Sequence, residues 1–451
     1  MSSQDATLRL AMRDRVLVGD GAMGTMLQAA GPTLDDFQGL EGCNEVLNIS
    51  RPDIVASVHS AYFEAGVDFV ETNSFGANLA NLSEYDIPER IYEYNLAAAK
   101  IAADVAHQFS TPDRQRWVVG SVGPGTKLPT LGHLPYATLR DAFQVQAEGL
   151  ILGGCHAILV ETAQDLLQAK AAVIGANRAK KKLGVDVPIW VHVTVETTGT
   201  MLLGSEIGAA MTALEPLGVE FIGLNCATGP AEMSEHLRHL SRHSRAAVSA
   251  MPNAGLPILT SSGAHYPLGP NELAQAHVNF IEEYGLQMVG GCCGTTPEHL
   301  KAVVEAVKDL MPAPRNVMHE PSTASLYVSV PFEQESSYLA VGERTNANGS
   351  KAFREAMLAG DIQACIEIAK EQIRDGANIL DLCVDYVGRD GVEDMRQLAG
   401  ELATTSTLPL MLDSTEPAVL QAGLEMLGGR AIVNSVNYED GDGPNSRFQR
   451  I

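Results

Sequence analysis

The chain has 451 residues, 45% of them hydrophobic, a formal net charge of −24 and a mean hydropathy of +0.01. That much apolar material supports packed cores and excludes a disordered chain, while the acidity argues against a nucleic-acid groove or an anionic membrane surface as partner. The longest apolar stretch, LILGGCHAILV (150–160), is too short to span a bilayer, and the N-terminal MSSQDATLRLAMRDR lacks an apolar signal core.

Seven scattered cysteines do not make a disulfide framework, so a reducing compartment, the cytoplasm, is expected. In chain order, runs rich in β-branched residues recur, each ending in glycine or polar punctuation and followed by a helical pattern. They are RVLVGDGAMG (15–24), DFVETNSFGAN (68–78), WVVGSVGPG (117–125), AILVETAQD (157–165), IWVHVTVETTG (189–199), FIGLNCATG (221–229), AAVSAMPNAG (246–255) and QMVGGCCGTT (287–296). Continuous apolar runs suit strands buried on both faces, and eight strand–helix units predict a (β/α)8 barrel over residues 1–311. Thr296 and Pro297 read as the N-cap and first turn of the last helix, whose stripe is Leu300, Val303, Val304, Val307 and Leu310.

Residues 312–337 carry four prolines and no periodic pattern, and read as a linker crossing the surface. The alternation then restarts over 338–451 with YLAVGERTN (338–346), ANILDLCVD (377–385), LPLMLDST (408–415) and RAIVNSVN (430–437). Four parallel strands leave bare edges, so this part is expected to be the N-terminal half of a second (β/α)8 barrel that continues beyond Ile451.

Barrel active sites lie at the C-terminal ends of the strands. The polar residues there are Asp20, Glu71, Asn73, Glu161, His192, Glu196, Asn225, Cys226, Asn253, Cys292 and Cys293. Cys226 and the 292–293 pair belong to the sixth and eighth strands and should face each other across the seventh. Gly290, Gly291 and Gly294 allow the strand to end there, so that two adjacent thiols turn to one side. Three converging thiolates with an open fourth position suit a catalytic zinc. Such a site is a poor activator of water, but it deprotonates an incoming thiol, whose ordinary pKa is about 8.5, and leaves it nucleophilic. Cys43, Cys155, Cys365 and Cys383 read as small buried apolar residues. His236, His239 and His243 share a helical face different from the inward face of Leu237 and Leu240 and read as solvated, and the RAKKKLG run (178–184) reads as a basic helix end.

The stretches GDGAMGT (19–25), ETNSFGAN (71–78), GLNCATGP (223–230) and GGCCGTTPEH (290–299) resemble the homocysteine S-methyltransferase family. GERTN (342–346), LDLCVD (380–385), MLDST (411–415) and IVNS (432–435) resemble the pterin-binding barrel that follows it in cobalamin-dependent members. The resemblance implies that Cys226, Cys292 and Cys293 ligate zinc and that Asp20 and Glu161 hold the amino-acid end of homocysteine. It places Glu343, Asn346, Asp381, Asp413 and Asn434 around the pterin, with Asp385 lining or capping the site. It implies methyl transfer from 5-methyltetrahydrofolate, through methylcobalamin, to homocysteine. No D-x-H-x-x-G cobalamin signature occurs, so that cofactor is expected on a downstream module of the full-length protein. Two alternatives stand beside this. One is a cobalamin-independent homocysteine methyltransferase using betaine or S-methylmethionine, against which the GERTN barrel argues. The other is a non-catalytic zinc and thiol sensor, against which Asp20 and Glu161 argue.

Overall fold

The computed structural model describes residues 3–260, 263–436 and 438–451. All eight predicted runs of the first region form parallel strands: Leu17–Val18 (β1), Phe69–Glu71 (β2), Trp117–Val122 (β3), Ala157–Ala163 (β4), Ile189–Val193 (β5), Phe221–Asn225 (β6), Ala247–Met251 (β7) and Met288–Val289 (β8). They pair in the order β1-β8-β7-β6-β5-β4-β3-β2. At the seam between β1 and β2, Asp68 N donates to Val18 O at 2.7 Å and Val18 N returns a bond to Asp68 Oδ2 at 3.0 Å. A carboxylate thus helps to close the barrel, and it is itself held by Arg15 at 2.7 Å. The strands are shorter than the predicted runs, because each run also contained the polar residues that turn out of the barrel after the last ladder bond.

The lower end of the barrel is sealed. Leu17, Phe69, Trp190, Phe221 and Met288 point inward and pack with Leu8 and Met12 of the helix Ser3–Asp14. Trp190 meets Phe69 and Phe221 edge-on at 5.5 and 5.4 Å between ring centroids. With that end filled, polar chemistry is confined to the opposite, C-terminal ends of the strands. Outside, the surrounding helices bury their apolar stripes. Helix Pro297–Val307 starts at Thr296, as expected, and buries Leu300, Val303, Val304 and Val307; Leu310 packs against the same core but is only partly buried.

Helix Pro230–His243 buries Leu237 and Leu240. The rings of His239 and His243 lie 4.7 Å apart, tilted by 36°, and they belong to no metal-binding group among the described residues. Lys180, Lys181 and Lys182 occupy the last turn of helix Leu166–Leu183, where cations complement the helix dipole. No helix among the described residues is long and apolar enough to cross a membrane.

The segment 312–337 departs from the expected surface crossing. Ser322–Ala324 and Ser329–Pro331 form an antiparallel hairpin, and Ala324 and Leu326 join the core of the barrel. The hairpin also clasps the second region: Ala324 N donates to Arg430 O at 3.0 Å and Tyr327 Oη to Thr404 O at 2.6 Å. Its apolar residues are too few to register as a pattern, and the hydrogen-bond partners that hold it lie 77 and 106 residues away in sequence.

The second region contains the four expected parallel strands, Val341–Gly342 (β9), Ile379–Leu382 (β10), Leu410–Asp413 (β11) and Ile432–Asn434 (β12), paired in that order. Asn437, the last residue of the fourth predicted run, lies outside the described residues. A separate core of Phe353, Met357, Leu380, Leu382, Met395 and Leu412 fills the space between this sheet and its helices. Contacts with the first barrel include Arg140 to Glu425 at 3.2 Å, and Lys170 Nζ donating to Leu427 O at 2.7 Å and Gly429 O at 2.9 Å.

Candidate metal and substrate site

Three thiols converge above the barrel because both of their strands have already ended. After Asn225 closes β6, Cys226 and Ala227 adopt left-handed backbone angles, φ +60° and +55°, a conformation costly for residues with a Cβ and frequent at functional sites. After β8, Gly290 and Gly291 carry the chain outward, with Gly291 N bonded to Asp20 O at 2.9 Å. Cys292 N then donates to Pro252 O at 2.9 Å and Cys293 N to Asn253 Oδ1 at 3.1 Å. Gly294, at φ +77°, lies so close under Tyr266 that any Cβ would sit 2.2 Å from Tyr266 Cγ. The adjacent cysteines therefore leave strand geometry, and their alternation no longer separates them.

The Sγ atoms of Cys226, Cys292 and Cys293 all lie within 4.8 Å of one another, and Cys226 and Cys293 are 3.8 Å apart. A tetrahedral zinc with Zn–S bonds of about 2.3 Å requires sulfur–sulfur edges of about 3.8 Å. The donor set and its spacing fit zinc, with one coordination position left over. Hydrogen bonds from Cys226 and Cys292, together with one from Tyr266, hold the Cys293 thiol far below the usual range.

Beside the thiols lies a group of buried carboxyls. Asp20, just past β1, is 1% exposed, and its Oδ2 accepts from Glu71 N at 3.0 Å. Glu161 on β4 is 6% exposed; its Oε1 accepts from Ser121 Oγ and its Oε2 from Asn225 Nδ2 at 3.0 Å. Burial raises the Glu161 carboxyl to about 7, opposed by hydrogen bonds from Ser121, Glu71 and Asn225. Burial raises Asp20 and Glu71 as well, and the nearby Glu161 charge adds to both. This is a cup of three acids that cannot all carry charge unless a cation enters.

At the ends of β9 to β11 a smaller polar group forms. Asn346 Nδ2 donates to Asp381 Oδ2 at 2.7 Å and to Asp413 Oδ2 at 3.1 Å. Asp381 is 2% exposed, and burial raises its carboxyl to about 6. Ser414 Oγ donates to both oxygens of Asp385, at 3.0 and 2.9 Å. Asn434 stands opposite Asp413 in the β11–β12 register, and Glu343 is exposed at the mouth. The structure thus joins Asn346, Asp381 and Asp413 directly, with Glu343 and Asn434 on the rim.

Of the other strand-end residues, His192 is turned into the barrel, where its Nε2 meets Ser249 Oγ at 2.7 Å. Asn73 braces a loop through Asn44 O at 2.8 Å, and Glu196 closes a turn through its backbone to Thr200. Cys43, Cys155, Cys365 and Cys383 are buried singly. Sequence reasoning did not single out Glu71, Asn225 or Tyr266. The first two were visible only as members of a long strand-end set, and Tyr266 carries no signal of its own.

Fold and site together define a (β/α)8-barrel protein with a convergent thiol centre beside buried carboxyls. Residues 17–307 match the family model described as homocysteine S-methyltransferase, and the chain belongs to that family. Residues 342–449 match the model for pterin binding enzymes. The chain is 65% identical over 446 residues to a protein named methionine synthase from Mycobacterium tuberculosis, and 63% identical over 449 residues to one of the same name from Mycobacterium leprae. These alignments take in 99% and 98% of the chain, which spans 37% of the length of each relative. Among solved structures, the metallated homocysteine methyltransferase MmuM from Escherichia coli aligns with a TM-score of 0.53 at 20% identity, covering 65% of this chain and 97% of that one. At that identity the likeness concerns the fold.

Proposed function

We propose that this chain activates homocysteine for methylation to methionine within a cobalamin-dependent methionine synthase. The observation that carries the reading is the convergence of Cys226, Cys292 and Cys293 beside the carboxyl cup. Cys226, Cys292 and Cys293 would hold zinc through three thiolates. When bound, the metal supplies the positive charge that keeps the fourth, substrate sulfur as a thiolate at neutral pH. Asp20 and Glu161 would meet the ammonium of the same substrate, so one end of the site holds the thiol and the other the amino group. Asn225 ties the two ends together. Its Nδ2 bonds Glu161 at 3.0 Å and approaches Cys292 Sγ at 3.9 Å.

The second sheet is the proposed 5-methyltetrahydrofolate site. Asp413 and Asp381 can accept the adjacent donors of a 2-aminopyrimidinone edge, with Asn346 orienting both and Glu343 and Asn434 closing the rim. Methylcobalamin is assigned to another module of the full-length protein, and no residue here is given to it. Two relatives named methionine synthase support this reading, as does the pterin-binding match. That match weighs against a methyltransferase using betaine or S-methylmethionine, and the buried acids weigh against a sensor without a substrate. The cytoplasm is the proposed compartment.

The test is the metal and its sulfur count. One zinc per chain is expected by elemental analysis, falling sharply when Cys226, Cys292 or Cys293 is replaced by Ala. X-ray absorption is expected to show three sulfurs, becoming four with L-homocysteine, whose thiol gives up about one proton near neutral pH. A count fixed at three rules out direct ligation of the substrate.

A further inference from the structure

Glu71 ends β2 between the two acids assigned to the amino group. Its backbone N–H donates to Asp20 Oδ2 at 3.0 Å, and its carboxyl lies close enough to Glu161 for the two acids to share a proton. Its Oε1 is buried without a hydrogen-bond partner, and so is Oδ1 of Asp20. Glu161 differs, since Ser121 Oγ and Asn225 Nδ2 occupy its two oxygens. A buried polar atom without a partner forfeits its hydrogen bond to water, so two in one cup point to a ligand that fills them. An ammonium directs three N–H donors in a tripod and, unlike a neutral donor, can offset carboxylate charge.

We propose that Glu71 is the third acceptor of the homocysteine ammonium, offering its carboxylate beside that of Asp20 and ionised in the complex. This rests on the reading of homocysteine as the substrate. In the free protein burial, and after it the Glu161 and Asp20 charges, favour the protonated form of the Glu71 carboxyl, which can then donate to Glu161. Arrival of the ammonium reverses that balance. The carboxylic acid gives up its proton to solvent, the carboxylate stays paired with the intact ammonium, and no other bond changes. Glu71 is thus a positioning and specificity residue: it selects for an α-amino group and fixes the direction in which the thiol reaches the metal centre.

The experiment titrates the zinc-loaded chain with L-homocysteine and with 4-mercaptobutanoate, which keeps the thiol and carboxylate but lacks the amine. Glu71→Gln preserves the volume and a donor to Glu161 but cannot ionise. It is expected to weaken L-homocysteine about tenfold, because a charge-assisted bond becomes a neutral one. Zinc content and 4-mercaptobutanoate affinity should be unchanged, and Glu71→Asp, which keeps the acid, should retain more of the preference for the amine. If Glu71 only braces Glu161, glutamine does so equally well and the preference survives, which overturns the proposal. Loss of affinity for both thiols, or of zinc, in both variants overturns it too, by showing a structural role. If the wild type itself fails to prefer L-homocysteine, the homocysteine reading falls, and the role of Glu71 with it.

Discussion

Asn225 Nδ2 lies 3.0 Å from Glu161 Oε2, across the gap between β6 and β4. The same amide group also donates to Thr162 Oγ1 at 2.9 Å, while its Oδ1 accepts from Thr162 N at 2.8 Å. Because Asn225 directly precedes Cys226, one side chain couples the carboxyl cup to the thiol centre.

Asn225→Leu removes that coupling at nearly constant volume. It leaves Thr162 N unpaired and strips a partner from Glu161, at a cost of about 1–3 kcal/mol. The denaturation midpoint is expected to fall, and the L-homocysteine Kd to rise more than that of a simple thiol. Equal losses for both ligands would show that the bond serves stability alone.

Glu161, raised to about 7 by burial, sets a pH limit on binding. An ammonium is met best by a carboxylate, so L-homocysteine affinity should rise as pH increases from 6 to 8. Ionisation of the substrate thiol rises over the same range. Glu161→Gln is therefore expected to bind more weakly and to show a shallower slope, by about one proton. Titration calorimetry across that range measures both, and an unchanged slope assigns the whole dependence to the thiol.

Asp381 carries the opposite sign in stability. Its carboxyl is raised from 3.8 to about 6, chiefly by burial, so the protonated form is preferred in the folded state. The stability this confers is present below about pH 3.8 and is lost as pH rises through 6. Asp381→Asn keeps an oxygen for Asn346 and cannot ionise. It should raise the melting temperature of the second region at pH 8 and leave it nearly unchanged at pH 4. A gain equal at both values would point to packing instead.

Lys170 caps two carbonyls of the second region from within the first, and burial lowers its ammonium to about 8 from 10.5. For a base depressed in the folded state, stability is present above the unfolded pKa and lost as pH falls toward the folded one. Wild-type stability should therefore carry a component that rises from pH 8 to 10.5, and Lys170→Met should lack it. At pH 7 the same variant leaves Leu427 O and Gly429 O unpaired, and amides around 425–432 are expected to exchange faster. Unaltered exchange would mean that the hairpin 322–331 alone secures the contact.

Sequence alone determined the twelve parallel strands of the two main sheets and the end of the first barrel on which the chemistry sits. Those features follow from local apolar runs and from glycine punctuation, which a chain carries wherever its partners lie. It also brought Cys226 within reach of Cys292 and Cys293, because strand order in a barrel is fixed by connectivity. Only the tertiary structure decided how polar atoms are shared. Glu161 and Asn225 are 64 residues apart, and Lys170 and Leu427 257. Nothing in either neighbourhood encodes the other. Nor could any pattern distinguish Glu71, whose Oε1 is buried without a hydrogen-bond partner, from Asn73, whose amide is used up on a loop. Hydrogen bonds are short and directional, so their partners are chosen last, after apolar burial has set the backbones in place.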